Sequence, residues 1–201
     1  MLQEPTTTFS APLDGNKKLK IAYITDCVEN DGNDPEVKAR MLEVIEQLKT
    51  QGHTVEGVDF PFLKQMVPTY YVLTTAEASS NLARYDGVHF GYQSPAAEGV
   101  ENTYKKSRSE GFGEEVQRRI MLGTFVLSHG YYDAYYTKGQ KVRRVIQNRT
   151  KDILKEYDFI LTPTTPTTAF EIGQNADDPI TMYLQDIFTV QANLSGNPAI
   201  S

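Results

Sequence analysis

Two charged residues stand in apolar surroundings, and their chemistry sets the first hypothesis. Arg119 directly precedes the apolar run 120–122, so either Arg118 or Arg119 must turn towards the interior. A buried arginine needs an acidic partner or an anionic ligand. Asp186 is a matching exception among apolar neighbours. The two side chains predict either a structural salt bridge or a site that binds the carboxylate and the ammonium of an amino acid.

Other catalytic chemistries find little support in the residue pattern. The serine pair Ser79-Ser80 has no neighbouring glycine, so its backbone cannot easily make the sharp turn of an oxyanion hole. The three histidines, His53, His89 and His129, are isolated, whereas metal sites need clustered ligands. We therefore expect neither a serine nucleophile nor a metal site in these residues.

Composition and charge exclude further classes. The chain has a net charge of -6 and a pI of about 5.1, which argues against a broad basic surface for nucleic acid. The acidic turn at 26–34 has no glycine-rich phosphate loop, which argues against a mononucleotide site. A single cysteine, Cys27, excludes an internal disulfide, and we expect it to be a small residue at a strand end. Without an apolar run of membrane length or a signal peptide pattern, we expect a cytoplasmic protein.

The elements that would position these residues indicate an α/β fold. Residues 20–25 predict a strand. Pro35 just inside a helix start and Gly52 at its end delimit the next element. Residues 54–60 alternate and predict a second strand, which makes a strand–helix–strand unit with parallel strands.

Further along the chain, helices dominate the prediction. The predicted elements are a helix at 67–85, a loop at 87–99, a capped turn at 109–114, helices at 114–128 and 132–156, a buried strand at Phe159–Leu161 and a last helix from Asp178 to Leu194. The Thr/Pro loop after this third strand is expected at the rim of the sheet, where sites are commonly built.

The domain organisation predicted is a loose lead-in at 1–18 and part of one domain at 19–201. Residues 199–201 resemble the opening of a strand, so we expect the chain to be a piece of a larger protein. Its strands would then have open edges and exposed apolar surface, which favour self-association.

At this point the residues resemble a known family, the A subunits of glutamyl-tRNA(Gln) amidotransferase, which are amidase-signature enzymes. The segments that carry the resemblance are YY at 70–71, AEASSNLARYDGV at 76–88, SRSEGFGEEVQRRIMLGTF at 107–125, GYYDAYY at 130–136, LTPTTPT at 161–167, DDPITMY at 177–183 and NLSGNPAIS at 193–201. They follow one another in order and span nearly all of the chain from residue 20.

The resemblance implies a mixed sheet packed between helices in one α/β/α domain. It implies a parent enzyme that hydrolyses glutamine and passes ammonia to partner subunits B and C, where ATP and Mg serve the conversion of Glu-tRNA(Gln) into Gln-tRNA(Gln). The family's Ser-Ser-Lys catalytic segment is not in this sequence. We therefore expect no catalytic residue, cofactor or metal in this chain, no membrane partner, and no activity of the chain alone.

The resemblance also implies a glutamine site. Arg119 would pair with the α-carboxylate, Asp186 with the α-ammonium, and Tyr70 would make a contact near the same pocket. A bidentate arginine suits a carboxylate and is not replaced by lysine. Two hypotheses stand beside this one, a general amidase for other small amides and a structural or binding module without catalysis.

Overall fold

The structure is a computed structural model that describes residues 17–172, 174 and 179–201. The predicted lead-in up to residue 16 and the predicted helix start at Asp178 lie outside the described residues.

The described strands form a parallel sheet in the order β2-β1-β3. Strand β1 (Lys20–Ile24) pairs with β2 (Thr54–Val58) on one side and with β3 (Phe159–Leu161) on the other. All three strands were predicted, and so was the parallel pairing of β1 with β2, so the α/β class is confirmed. The antiparallel pairing of a mixed sheet is not found among the described strands.

Helices make up most of the described chain. In chain order they are α1 (Thr25–Val28), α2 (Pro35–Thr50), α3 (Leu63–Leu82), α4 (Gly99–Gly111), α5 (Glu114–Val126), a π-helical turn (Asp133–Thr137), α6 (Lys138–Glu156), α7 (Pro179–Leu184) and α8 (Val190–Ser195). The predicted start of α2 is confirmed, because the Asp34 side chain accepts from the Glu36 N–H as an N-cap. None of the helices in the described residues is both long and apolar enough to cross a bilayer.

Two helical predictions need correction. Helix α4 was not predicted, because it is polar and only Ser107 is buried, so it shows no apolar periodicity. The last helix was predicted to run unbroken to Leu194, but a turn at 185–189 separates α7 from α8. There Thr189 Oγ1 donates to the Asp186 carbonyl at 3.2 Å, a local bond that competes with the helix ladder.

The third strand was predicted to be buried, and this is wrong. The Phe159 side chain is 58% exposed, because β3 is an edge strand of the described sheet and pairs with β1 alone. Residues 199–201 form no strand in this structure. The apolar composition of both segments was the correct observation, but burial of an edge strand depends on what lies beside it.

The core lies on both faces of the sheet. Ala22 and Ile24 face the larger cluster, in which Phe60, Met66 and Ile146 are fully buried. The other face of β1 contributes to a smaller cluster that α2 covers, as the two-residue period of a strand requires. Helix α3 is central on the larger side, where it packs against α5, α6 and α8.

Candidate functional site

The close contact between α3 and α5 sets the geometry of the site. A Cβ on Gly123 would lie 1.9 Å from the Thr75 carbonyl oxygen, so the two helices approach as closely as backbone permits. Tyr71 lies one turn before Thr75, and Arg119 lies one turn before Gly123. Residues one turn apart share a helix face, and the Arg119 guanidinium accordingly lies over the Tyr71 ring, 5.4 Å from its centroid.

Arg119 is held by a carboxylate on its own helix. Its Nε donates to Glu115 Oε1 at 2.9 Å, a pair with the four-residue spacing of a helix face. Its side chain is 34% exposed, against 43% for Arg118, which pairs with Glu114 and Glu115. Within the described residues, the two Nη atoms of Arg119 have no hydrogen-bond partner, so this edge of the guanidinium is free.

The charges of this pair reinforce one another. Burial works to raise the pKa of Glu115, but the hydrogen bond and the positive charge of Arg119 outweigh it and hold that pKa below its ordinary value. The hydrogen bond that Arg119 donates to Glu115 likewise raises the pKa of Arg119 above its already high value. Both groups are therefore ionised at neutral pH.

Asp186 lies in the turn between α7 and α8. Its N–H donates to the Tyr183 carbonyl, and its own carbonyl accepts from the Val190 N–H, each at 3.2 Å. Its Oδ2 accepts from Tyr71 Oη at 3.3 Å, while Oδ1 has no hydrogen-bond partner among the described residues. No ion pair joins Asp186 to Arg119 in the described chain, so the salt bridge considered from the sequence is not formed.

Two tyrosines, Tyr71 and Tyr183, connect the two carboxylates and Arg119. Burial first, and then the charge of Asp186, raise the pKa of Tyr71 to about 12, so its hydroxyl remains a neutral donor. The Tyr71 and Tyr183 rings lie 4.3 Å apart, and Tyr183 Oη donates to Glu115 Oε1 at 3.3 Å. One connected group is thus formed, which we call the charged group; its members are Tyr71, Tyr183, Glu115, Arg119 and Asp186.

The charged group lines a cleft of about 850 Å³. Thr165, Thr167 and Thr168, from the loop after β3, line it as well. Thr167 Oγ1 donates to Gln185 Oε1 at 2.9 Å, which ties this loop to the residue before Asp186. The Thr/Pro loop, which was expected at the rim of the sheet, therefore lines the same cleft as Arg119 and Asp186.

Tyr70 occupies a different position from its neighbour. It packs against the larger core cluster and meets Tyr71 edge-on, with ring centroids 5.4 Å apart. It is not among the residues that line the cleft. Tyr70 therefore contacts Tyr71 from the side of the core. The sequence prediction missed Tyr71, Glu115 and Tyr183, although the four-residue spacing of Glu115 and Arg119 was a signal.

The cleft is suited to binding an amino acid. Arg119 and Asp186 both contact Tyr71 and keep hydrogen-bonding atoms without a partner in the described part of the chain. Their opposite charges match those of an α-amino acid. Among the described residues that line it there is no serine, cysteine, lysine or histidine. The described residues also contain no cluster of His, Cys, Asp and Glu that could hold a metal ion.

Comparisons with known proteins identify relatives of this chain. The chain is 53% identical over 185 residues to the A subunit of glutamyl-tRNA(Gln) amidotransferase from Staphylococcus saprophyticus, covering 92% of this chain and 38% of that protein. It is 49% identical over 194 residues to the A subunit of the same enzyme from Latilactobacillus sakei, covering 96% of this chain and 40% of the relative. The chain thus spans about two fifths of the length of these relatives.

A solved structure also matches this chain. The crystal structure of the A subunit of glutamyl-tRNA(Gln) amidotransferase from Thermotoga maritima matches 89% of this chain and 33% of that one, with a TM-score of 0.62 and 43% sequence identity. The family model described as Amidase matches residues 2–201. Since that match extends over nearly the whole sequence, the chain belongs to the amidase family.

Proposed function

We propose that this chain is the glutamine-recognising part of an A subunit of glutamyl-tRNA(Gln) amidotransferase. The parent would hydrolyse glutamine to glutamate and ammonia. The ammonia would serve partner subunits B and C in the conversion of Glu-tRNA(Gln) to Gln-tRNA(Gln), with ATP and Mg bound in a partner. The names of the relatives and their identity of about one half support this proposal.

One observation carries the substrate assignment. Arg119 and Asp186 line one cleft and both contact Tyr71, and among the described residues the Nη atoms of Arg119 and Oδ1 of Asp186 have no hydrogen-bond partner. In the proposed complex, Arg119 binds the α-carboxylate of glutamine through a bidentate contact, and Asp186 accepts from its α-ammonium. The side chain of glutamine then extends along the cleft with its amide carbon at a fixed position.

The chain's contribution to catalysis would be orientation. Binding both charged groups of the substrate restricts its rotation and translation before the reaction. Water is the second reactant, and the proposed nucleophile and base belong to residues outside this chain. The cytoplasmic location belongs to the same proposal.

The test compares substrates that lack one charged group, in the complete subunit. Glutamine is compared with γ-aminobutyramide, which lacks the α-carboxylate. For Arg119→Lys we expect kcat/KM for glutamine to fall on the order of tenfold to a hundredfold, since a charge-assisted bidentate contact is lost. The same substitution should leave hydrolysis of γ-aminobutyramide unchanged. Wild-type kcat/KM for glutamine in Arg119→Lys would overturn the assignment.

A second assay separates this function from a general amidase. Ammonia release from glutamine and from other small amides is measured for the complete enzyme with and without Glu-tRNA(Gln) and ATP. The proposal expects a preference for glutamine and transfer of the ammonia to the tRNA-bound glutamate. Equal hydrolysis of unrelated amides, with no transfer, would favour the general amidase.

A further inference from the structure

We propose that Glu115 is a positioning residue, which holds Arg119 so that the Nη edge of its guanidinium faces the α-carboxylate of the bound amino acid. This inference rests on the proposed function, because it assigns a role within the same site. Glu115 would not touch the substrate and would act through Arg119 alone.

The geometry of the guanidinium carries the first step. The group is planar and presents its N–H donors in a fixed fork. Glu115 Oε1 accepts from Nε at 2.9 Å, and the Tyr71 ring lies against the face of the group. One edge and one face are thereby occupied by protein, and the Nη edge, which has no hydrogen-bond partner among the described residues, is available to a ligand. A side chain fixed in this way loses less rotamer freedom when the ligand binds.

Glu115 is itself fixed from two directions. Its Oε1 accepts from Tyr183 Oη at 3.3 Å, and its Oε2 accepts from Arg118. Tyr183 belongs to α7, which leads directly into the turn that holds Asp186. These two contacts hold the Glu115 carboxylate in place from the α7 side and from its own helix, so that Oε1 stays within reach of Arg119 Nε.

The neighbouring residue on the same helix shows that the arrangement is specific. Glu114 is also an acid in the first turn of α5, so both residues interact equally well with the helix dipole. The Glu114 side chain is 90% exposed, and its partner in the described structure is Arg118. Only Glu115 reaches Arg119 and Tyr183, which makes Glu114→Ala a matched control for Glu115→Ala.

The experiment measures kcat and KM in the complete subunit for glutamine and γ-aminobutyramide. For Glu115→Ala we expect kcat/KM for glutamine to fall about tenfold, mainly through KM, with no change for γ-aminobutyramide. Glu115→Gln keeps an oxygen for Nε and should recover most of this loss. Glu115→Asp keeps the charge but shortens the reach, so it should resemble Glu115→Ala and provides the test if the alanine variant does not fold.

A double substitution decides whether Glu115 acts through Arg119. In an Arg119→Ala background, Glu115→Ala should cause no further loss, because the group that it positions is gone. An additional loss there, or a Glu115→Ala variant that matches Glu114→Ala, would overturn the inference while the proposed function stands. Arg119→Ala with unchanged glutamine hydrolysis would instead overturn the proposed function.

Discussion

Arg119 and Asp186 are oppositely charged residues that line the same cleft. Each is charged, each is partly enclosed by the cleft, and each keeps unused hydrogen-bonding capacity in the described structure. Water can satisfy this capacity in the open cleft, and a ligand of opposite charge can replace that water. In the proposed function the bound zwitterion does so.

We expect Asp186→Asn to weaken recognition of the α-ammonium. The amide keeps the shape of the side chain but removes the negative charge, so kcat/KM for glutamine should fall on the order of tenfold. Glutaramic acid, which lacks the amino group, should be hydrolysed equally well by both proteins. Steady-state kinetics of the complete subunit checks this, and an equal loss for both substrates would argue for a structural role of Asp186.

The two residues could be selected from the sequence because charge in apolar surroundings needs a partner. Their neighbours in the site could not be selected in the same way. Whether Tyr70 or Tyr71 faces the cleft depends on how α3 is rotated against α5, and this rotation is set by the contact of Gly123 with Thr75. That contact is tertiary and leaves no periodic signal in the local sequence.

At the scale of elements, local signals predicted those with clear boundaries. Helix α2 has a capping aspartate, a proline at its start and an apolar face, and β1 and β2 alternate as half-buried strands do. The break between α7 and α8 was missed because it depends on the packing of Phe188 and on a side-chain bond of Thr189. Asp186 owes its position in the cleft to this break.

We expect Gly123→Ala to separate α3 from α5. A Cβ at this position would overlap the Thr75 carbonyl, and overpacking of this kind costs about 1 to 3 kcal/mol of unfolding free energy. Gly113→Ala is the matched control, because no atom lies within 4 Å of its added Cβ. Urea denaturation of the three proteins measures the difference. An unchanged midpoint for Gly123→Ala would contradict the close approach.

Cys27 lies in α1 and is buried in the larger core cluster. Burial first, and then the charge of Asp26, raise the pKa of its thiol from 9.0 to about 12. The folded protein keeps the proton while the unfolded chain loses it, so this residue lowers stability as the pH rises above about 9. As the chain has one cysteine, a thiol reagent at pH 8 should react only on unfolding. Rapid labelling of the folded protein would contradict this burial.

At the scale of the whole molecule, β3 is one of the two edge strands of the described sheet, and its Phe159 is exposed. A second cleft of about 640 Å³ lies beside β3 and is lined by that strand, the loop after it, part of α6 and residues from Phe188 onwards. An unpaired strand edge next to exposed apolar side chains is a template for association. The α/β class was predictable from the strand–helix–strand pattern, whereas the exposure of this edge depends on the surroundings of β3.

We therefore expect this chain to self-associate through β3. Light scattering over a concentration series should show a rising average mass, and Phe159→Lys should reduce it, because a charge on an edge strand opposes pairing. Leu42→Lys, at an exposed apolar position on α2, should have little effect. A constant monomeric mass for the unmodified chain would contradict this expectation.

The proposed function requires that the cleft bind glutamine by its two charged groups. A structure of the complete subunit with bound glutamine would test this requirement. We expect the α-carboxylate within hydrogen-bond distance of both Nη atoms of Arg119, with Nε still bound to Glu115, and the α-ammonium on Asp186. Glutamine bound elsewhere, or bound here with its α-carboxylate away from Arg119, would contradict it.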